Sequence, residues 1–267
     1  MLRVVDVTVD RGTTRRALDS VDLEVRAGSV CFVLGANGSG KSTLLRTIAG
    51  VDRPSSGHVL VDGVSLASLS PRTRAREISW MSQGLVAPRR VRVFDLVASA
   101  RYPHRGVFAR LGQRDSEIVH DAIRRVDLDG YAARFAHELS GGELARALLA
   151  RAFAQDTGIV LLDEPTSALD PRHKLAFARR IAEWTRGSGR IAVVATHDVN
   201  LASQVAQQIV VLDRGRVVAD GRPEDVMTPS GLACLFGEDV VIGRRFSRLA
   251  DESRPWVLAW DDGSGGT

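Results

Sequence analysis

Lysine is nearly missing from this 267-residue chain: of 36 basic residues only Lys41 and Lys174 are lysines, and the rest are arginines. So strong a skew reads as the coding bias of a GC-rich genome. It therefore weakens the net charge of +4 as a sign of a nucleic-acid partner. Cysteine is also scarce. Cys31 and Cys234 are the only two, and Cys31 sits inside an apolar run where a thiol serves as a small core side chain. Neither a disulfide nor a cysteine–metal role is expected. No apolar run approaches the roughly 20 residues that span a bilayer, and the first residues lack the charged-then-apolar layout of a secretory signal. The expectation is a chain kept in the cytoplasm, as one large domain or a domain with a subdomain. Internal repeats are absent as well.

What is present centres on Gly35-Ala36-Asn37-Gly38-Ser39-Gly40-Lys41-Ser42-Thr43, which has the G-x-x-x-x-G-K-[ST] spacing of a phosphate-binding loop. Gly35, Gly38 and Gly40 let the backbone turn so that successive N–H groups face phosphate oxygens. Lys41 can reach the β and γ phosphates as a point charge, and Ser42 can offer its hydroxyl to Mg²⁺. A glycine-rich turn with an incidental lysine is the bland alternative, and context argues against it. Val30 to Leu34 is continuously apolar, as a buried parallel strand is, and Thr43 to Ala49 reads as a helix ending at Gly50. The loop thus meets a helix N-terminus, where the macrodipole favours anions. This stretch binds a nucleoside triphosphate.

Around it, Leu2 to Val9, Val21 to Val25 and His58 to Val61, with an Asp62-Gly63 turn, predict a small antiparallel sheet. Ile78 to Met81 reads as a short strand followed by Gln83, which alone is only a polar loop residue. From about Val93 to Ala136 the pattern turns helical, an insertion whose arginines at 101, 105, 110 and 114 are most simply a solvated face, with a docking surface as the alternative. Next comes Leu139-Ser140-Gly141-Gly142-Glu143. Ser140 and Glu143 have capping-box spacing, a purely structural helix start; capping leaves the two glycines unexplained, and they make sense if bare amides face an anion. Ile159 to Leu162 is a buried strand closing in Asp163-Glu164-Pro165. Asp163 can hold a Mg²⁺ shell while Glu164 faces the attacking water, and a cation offsets their mutual repulsion. Ser167 to Asp170 precedes a helix opened by Pro171 and running to Arg186. Arg190 to Thr196 is a third buried strand, ending at His197-Asp198. Parallel strands deliver Asp163, His197 and the phosphate loop to one crevice. A helix near Asn200 to Ala206 and a hairpin through Arg214-Gly215 follow. Beyond Gly231 the pattern weakens, and Asp261 to Thr267 is read as disordered.

With these pieces the sequence resembles the ATP-binding subunit of ABC transporters over roughly residues 2 to 240. The resemblance implies an α/β fold: a P-loop NTPase (RecA-like) core with a parallel sheet, an antiparallel β-subdomain and an α-helical subdomain inserted at about 84–140. Residues 241–267 would form a separate tail. It also implies ATP and Mg²⁺ as cofactors. The whole loop Gly35 to Thr43, including Asn37 and Ser39, binds nucleotide, and Ser42, Gln83 and Asp163 serve the metal. Glu164 positions or activates water, His197 contacts the γ-phosphate, and Gln83 links the site to a transmembrane partner. Copies pair head to tail, so that Ser140, Gly141, Gly142 and Glu143 of one meet the triphosphate on the other, with Asp170 reaching across. Two departures stand out: Arg11 occupies the position of the usual adenine-stacking aromatic, and Glu143 replaces the usual final glutamine of the signature.

A narrower resemblance, in Arg101-Tyr102-Pro103-His104 and Asp170-Pro171-Arg172-His173, is to the iron-chelate, haem and cobalamin importers. It implies an ATPase on the cytoplasmic face of the membrane. Its partners would be permease subunits, a second copy and, indirectly, a substrate-binding protein, with no nucleic acid. An exporter subunit and a soluble nucleic-acid-associated ABC ATPase are the alternatives. A scaffold without hydrolysis is disfavoured by Glu164 and His197.

Overall fold

The computed structural model describes residues 1–12, 15–84, 87, 89–105, 110–237, 240–247 and 251–259. The segment Asp261 to Thr267, read above as disordered, lies outside them.

In chain order, β1 (Leu2–Arg11) and β2 (Arg15–Val25) pair antiparallel, and β3 (Val30–Leu34) runs into α1 (Lys41–Ile48). Then β4 (Ser56–Val61) and β5 (Val64–Ser65) join the first pair in a four-stranded sheet of order β2-β1-β4-β5. Asp62 and Gly63, both at positive φ, make the tight turn between β4 and β5. After α2 (Pro71–Glu77) comes β6 (Ile78–Met81). The insertion follows as α3 (Val93–Ala98), a 3-10 segment Ser99–His104 and α4 (Gln113–Arg125), leading to α5 (Gly141–Ala154). The chain then alternates: β7 (Ile159–Asp163), α6 (Pro171–Thr185), β8 (Ile191–Thr196), α7 (Val199–Val205), β9 (Gln208–Asp213) and β10 (Arg216–Gly221).

The central sheet has the order β10-β9-β3-β8-β7-β6. All its neighbours are parallel except β10, which returns antiparallel to β9. Every residue of β3, β7 and β8 is buried, because both faces of this sheet are covered. The period of two sorts β3 between two cores. Val30, Phe32 and Leu34 face the core shared with α5, α6 and α7. Cys31 and Val33 face α1 and the antiparallel sheet.

Two regions differ from the sequence reading. Arg101 is not on a solvated face: it is 5% exposed. Its Nε donates to Asp115 Oδ1 at 2.8 Å and its Nη1 to the Ala154 carbonyl at 2.9 Å, so it pins the insertion to the C-terminal end of α5. Charge alone gives no sign of this, because the countercharge lies fourteen residues away on another element. The weakly patterned end is also ordered. α8 (Pro223–Val226) and α9 (Pro229–Phe236) are followed by an antiparallel hairpin of β11 (Val241–Ser247) and β12 (Glu252–Ala259). Gly243 and Pro255 interrupt the alternation that would have announced these strands.

Candidate active site

The parallel strands end at one edge, where the segments after β3, β6, β7 and β8 carry the predicted site residues. The loop after β3 turns through Gly38 and Gly40 at φ 80° and 113°, a conformation that disfavours any other residue. Gly40 serves as N-cap of α1 without a side-chain cap, so the first amides of that helix are left for a ligand. Space matters as much as torsion. A Cβ at Gly35 would sit 2.5 Å from the Leu212 carbonyl oxygen, and one at Gly40 2.7 Å from that of Ala17. Ser39 is buried within the loop, with its hydroxyl oxygen unpaired.

Lys41 is folded back, its Nζ donating to the carbonyls of Gly35 at 2.7 Å and Ala36 at 3.0 Å. Burial pushes its ammonium below the usual lysine range, and Glu164 and Asp163 oppose that shift. Ser42 Oγ donates to Asp163 Oδ1 at 3.0 Å, joining the helix tip to the end of β7. Burial raises the Asp163 pKa, the Ser42 hydrogen bond lowers it, and the neighbouring Glu164 raises it further. Glu164 itself takes φ 47°, a left-handed backbone that costs about 1–3 kcal/mol in a residue with a Cβ. That turn aims it away from Asp163, into the cavity. His197 Nδ1 lies 3.1 Å from the Glu164 carboxylate.

Lys41, Ser42 and Glu164 share a cavity of about 340 Å³ with Arg11, Asn37, Gly38, Gly40, Thr43 and Gln83, while Asp163 and His197 touch it only through Ser42 and Glu164. Arg11 is tied there by Asp52, 3.2 Å away, which also pairs with Arg46 at 2.8 Å. A larger cleft of about 440 Å³ lies between α4 and α6, where Arg125 pairs with Asp121 and Arg190 with Asp156. The other predicted residues lie elsewhere. Ser140, Gly141, Gly142 and Glu143 form the tip of α5, beside the loop that ends in Asp170, and none of them lines the cavity. A Cβ on Gly142 would contact Leu169 at 3.5 Å. Asp170 caps α6, accepting from the His173 amide at 3.0 Å, and that amide holds its carboxyl below the usual range. At the α5 tip the capping box is closed: the Ser140 amide donates to Glu143 Oε2 at 2.8 Å, and the Glu143 amide to Ser140 Oγ at 3.3 Å.

A family model described as ABC transporter matches residues 18–167. The chain belongs to the ABC transporter family. This ABC protein is 39% identical over 245 residues to the hemin import ATP-binding protein HmuV of Nocardia farcinica, spanning 90% of this chain and 84% of that one. It is 35% identical over 231 residues to the ferric enterobactin transport ATP-binding protein FepC of Escherichia coli, spanning 84% and 85%. Its fold matches a dimeric ATP-binding cassette solved in a post-hydrolysis state with ADP and Pi, with TM-score 0.73, 27% identity and coverage of 83% and 98%. It is an ATP hydrolase of the ABC type.

Sequence reasoning passed over one contact. Lys174 Nζ donates to Asp198 Oδ2 at 3.0 Å, joining α6 to the segment that carries His197. The signal was available, since Lys174 is one of only two lysines.

Proposed function

We propose that this chain is the ATPase subunit of an importer for an iron chelate (a ferric siderophore or haem) or for cobalamin. It works as a head-to-tail pair on permease subunits at the cytoplasmic face of the membrane, fed indirectly by a substrate-binding protein. One observation carries the reading. Lys41 and Glu164 line one cavity, whereas the glycine-bearing tip of α5 lies outside it, free to close the site of a second copy.

The donors suit Mg²⁺: the Ser42 hydroxyl, the Gln83 amide oxygen and the Asp163 carboxylate are all hard oxygens, and a cation would favour the ionised form of a carboxyl whose pKa burial, and after it Glu164, push up. Bound there, the ion would offset charge on the transferring phosphoryl group. The loop amides and Lys41 hold the phosphates, and Arg11 faces the base. Glu164 orients the attacking water and takes its proton, while His197 steadies the Glu164 carboxylate and reaches the γ-phosphate. Ser140, Gly141 and Gly142 of the other copy supply the remaining donors, and Asp170 meets the opposite subunit. The family names of the relatives support the substrate class.

Glu164→Gln should bind ATP and dimerise yet lose about 10³-fold in turnover, because orientation without a base remains. Near-normal turnover would overturn the role of Glu164. A strain lacking this subunit should lose uptake of one of ferric siderophore, haem or cobalamin. Unchanged uptake of all three, with RNA or DNA recovered on the purified chain, would refute the importer reading.

A further inference from the structure

The position of His197 is not fixed by its own packing, since its side chain is 61% exposed. Its backbone neighbours must therefore hold it. Upstream lies the wholly buried β8. Downstream, Asp198 caps α7, accepting from the Leu201 amide at 3.0 Å. A seven-residue helix of this kind is marginal without outside support.

Support reaches both of its ends. At the N-terminal end, Lys174 holds the second carboxylate oxygen of Asp198 at 3.0 Å. Along the helix, the C-terminal hairpin makes a row of polar contacts. The Asn200 side chain pairs with both groups of Val257, Nδ2 donating to its carbonyl at 3.0 Å and Oδ1 accepting from its amide at 2.8 Å. Ser203 donates to the Pro255 carbonyl. Ser247 donates to the Gln204 carbonyl at 2.9 Å, and Arg254 to that of Ala206 at 2.7 Å. The last two satisfy carbonyls that the end of α7 leaves without helical partners.

We propose that Lys174 and the C-terminal hairpin act as a clamp on α7 that positions His197 against Glu164. Both are positioning elements: neither lines the nucleotide cavity. The inference rests on His197 acting in turnover, as argued above. Displacing a group near the chemistry costs rate while leaving nucleotide contacts intact, so the clamp acts on kcat rather than on KM.

The test uses the full chain with Lys174→Ala, Lys174→Arg, Asn200→Ala and His197→Ala, measuring kcat, KM for ATP and thermal midpoint. Lys174→Ala and Asn200→Ala should each lower kcat by about tenfold with KM within about twofold, and Lys174→Arg should recover at least about half the rate. Wild-type kcat in both alanine variants, beside an impaired His197→Ala, would overturn the clamp alone. So would a rise in KM or a loss of folded protein matching the loss of rate, which marks a merely structural role. Full turnover in His197→Ala would instead overturn the reading on which the clamp rests.

Discussion

Two helix tips carry the proposed phosphate contacts, and they are built differently. The tip of α1 has a left-handed glycine as N-cap, no side-chain cap and no acidic residue in its first turn. The tip of α5 has Ser140 as N-cap, a closed capping box and Glu143 in its first turn. One is left open with a lysine beside it; the other satisfies itself. An open tip leaves helix amides without a cap and a partly buried ammonium beside them, and a phosphate would answer both. A self-capped tip is stable alone and can lend its glycine amides to a ligand that something else holds. On the function proposed above, primary binding belongs to α1 and completion of the site to α5.

Breaking the open tip should have the largest effect. Lys41→Ala should lower ATP turnover by about 10³-fold, as loss of a preorganised charge at a developing phosphate charge does. The ATP-free fold should melt no lower than wild type, because a buried, depressed ammonium is removed. Gly40→Ala comes next. Its Cβ would meet the Ala17 carbonyl at 2.7 Å from a backbone at φ 113°, so it should cost about 1–3 kcal/mol and weaken nucleotide binding, read by denaturant melts with and without ATP. At the self-capped tip, Ser140→Ala should cost about 1 kcal/mol of stability, the usual worth of a side-chain cap, and the same melts would show it.

The smallest effect sharpens the comparison through pH. The Ser140 amide, then its hydroxyl, hold the Glu143 carboxyl below the usual range. A depressed acid adds stability that is fully present above its unfolded value, about 4.3, and is lost as pH falls through the lower folded one. Melts in that acid window should therefore fall more steeply for wild type than for Glu143→Gln, which keeps the box without the charge. Identical slopes would show that the box contributes nothing.

Both tips were legible in the sequence because each is local. The phosphate loop is a strand, three glycines, a lysine and a helix in unbroken order, and the capping box is a spacing of three. Their assignment to different surfaces was not local, and it followed from resemblance rather than from any single spacing. Arg101 shows the same limit, since its partners Asp115 and Ala154 come from other elements. The hairpin of β11 and β12 was hidden for another reason. It buries Val257 in the core, but much of what ties it down is polar: the contacts to α7, and Arg254, 6% exposed and paired with Glu252, leave no hydrophobic period.

The most direct test mixes two nearly inactive copies, Lys41→Ala and Ser140→Arg. If each site takes its lysine from one chain and its serine–glycine tip from the other, random pairing leaves about a quarter of all sites intact, and turnover should rise toward that fraction of wild type. A mixture no faster than the average of its two components would contradict a shared site.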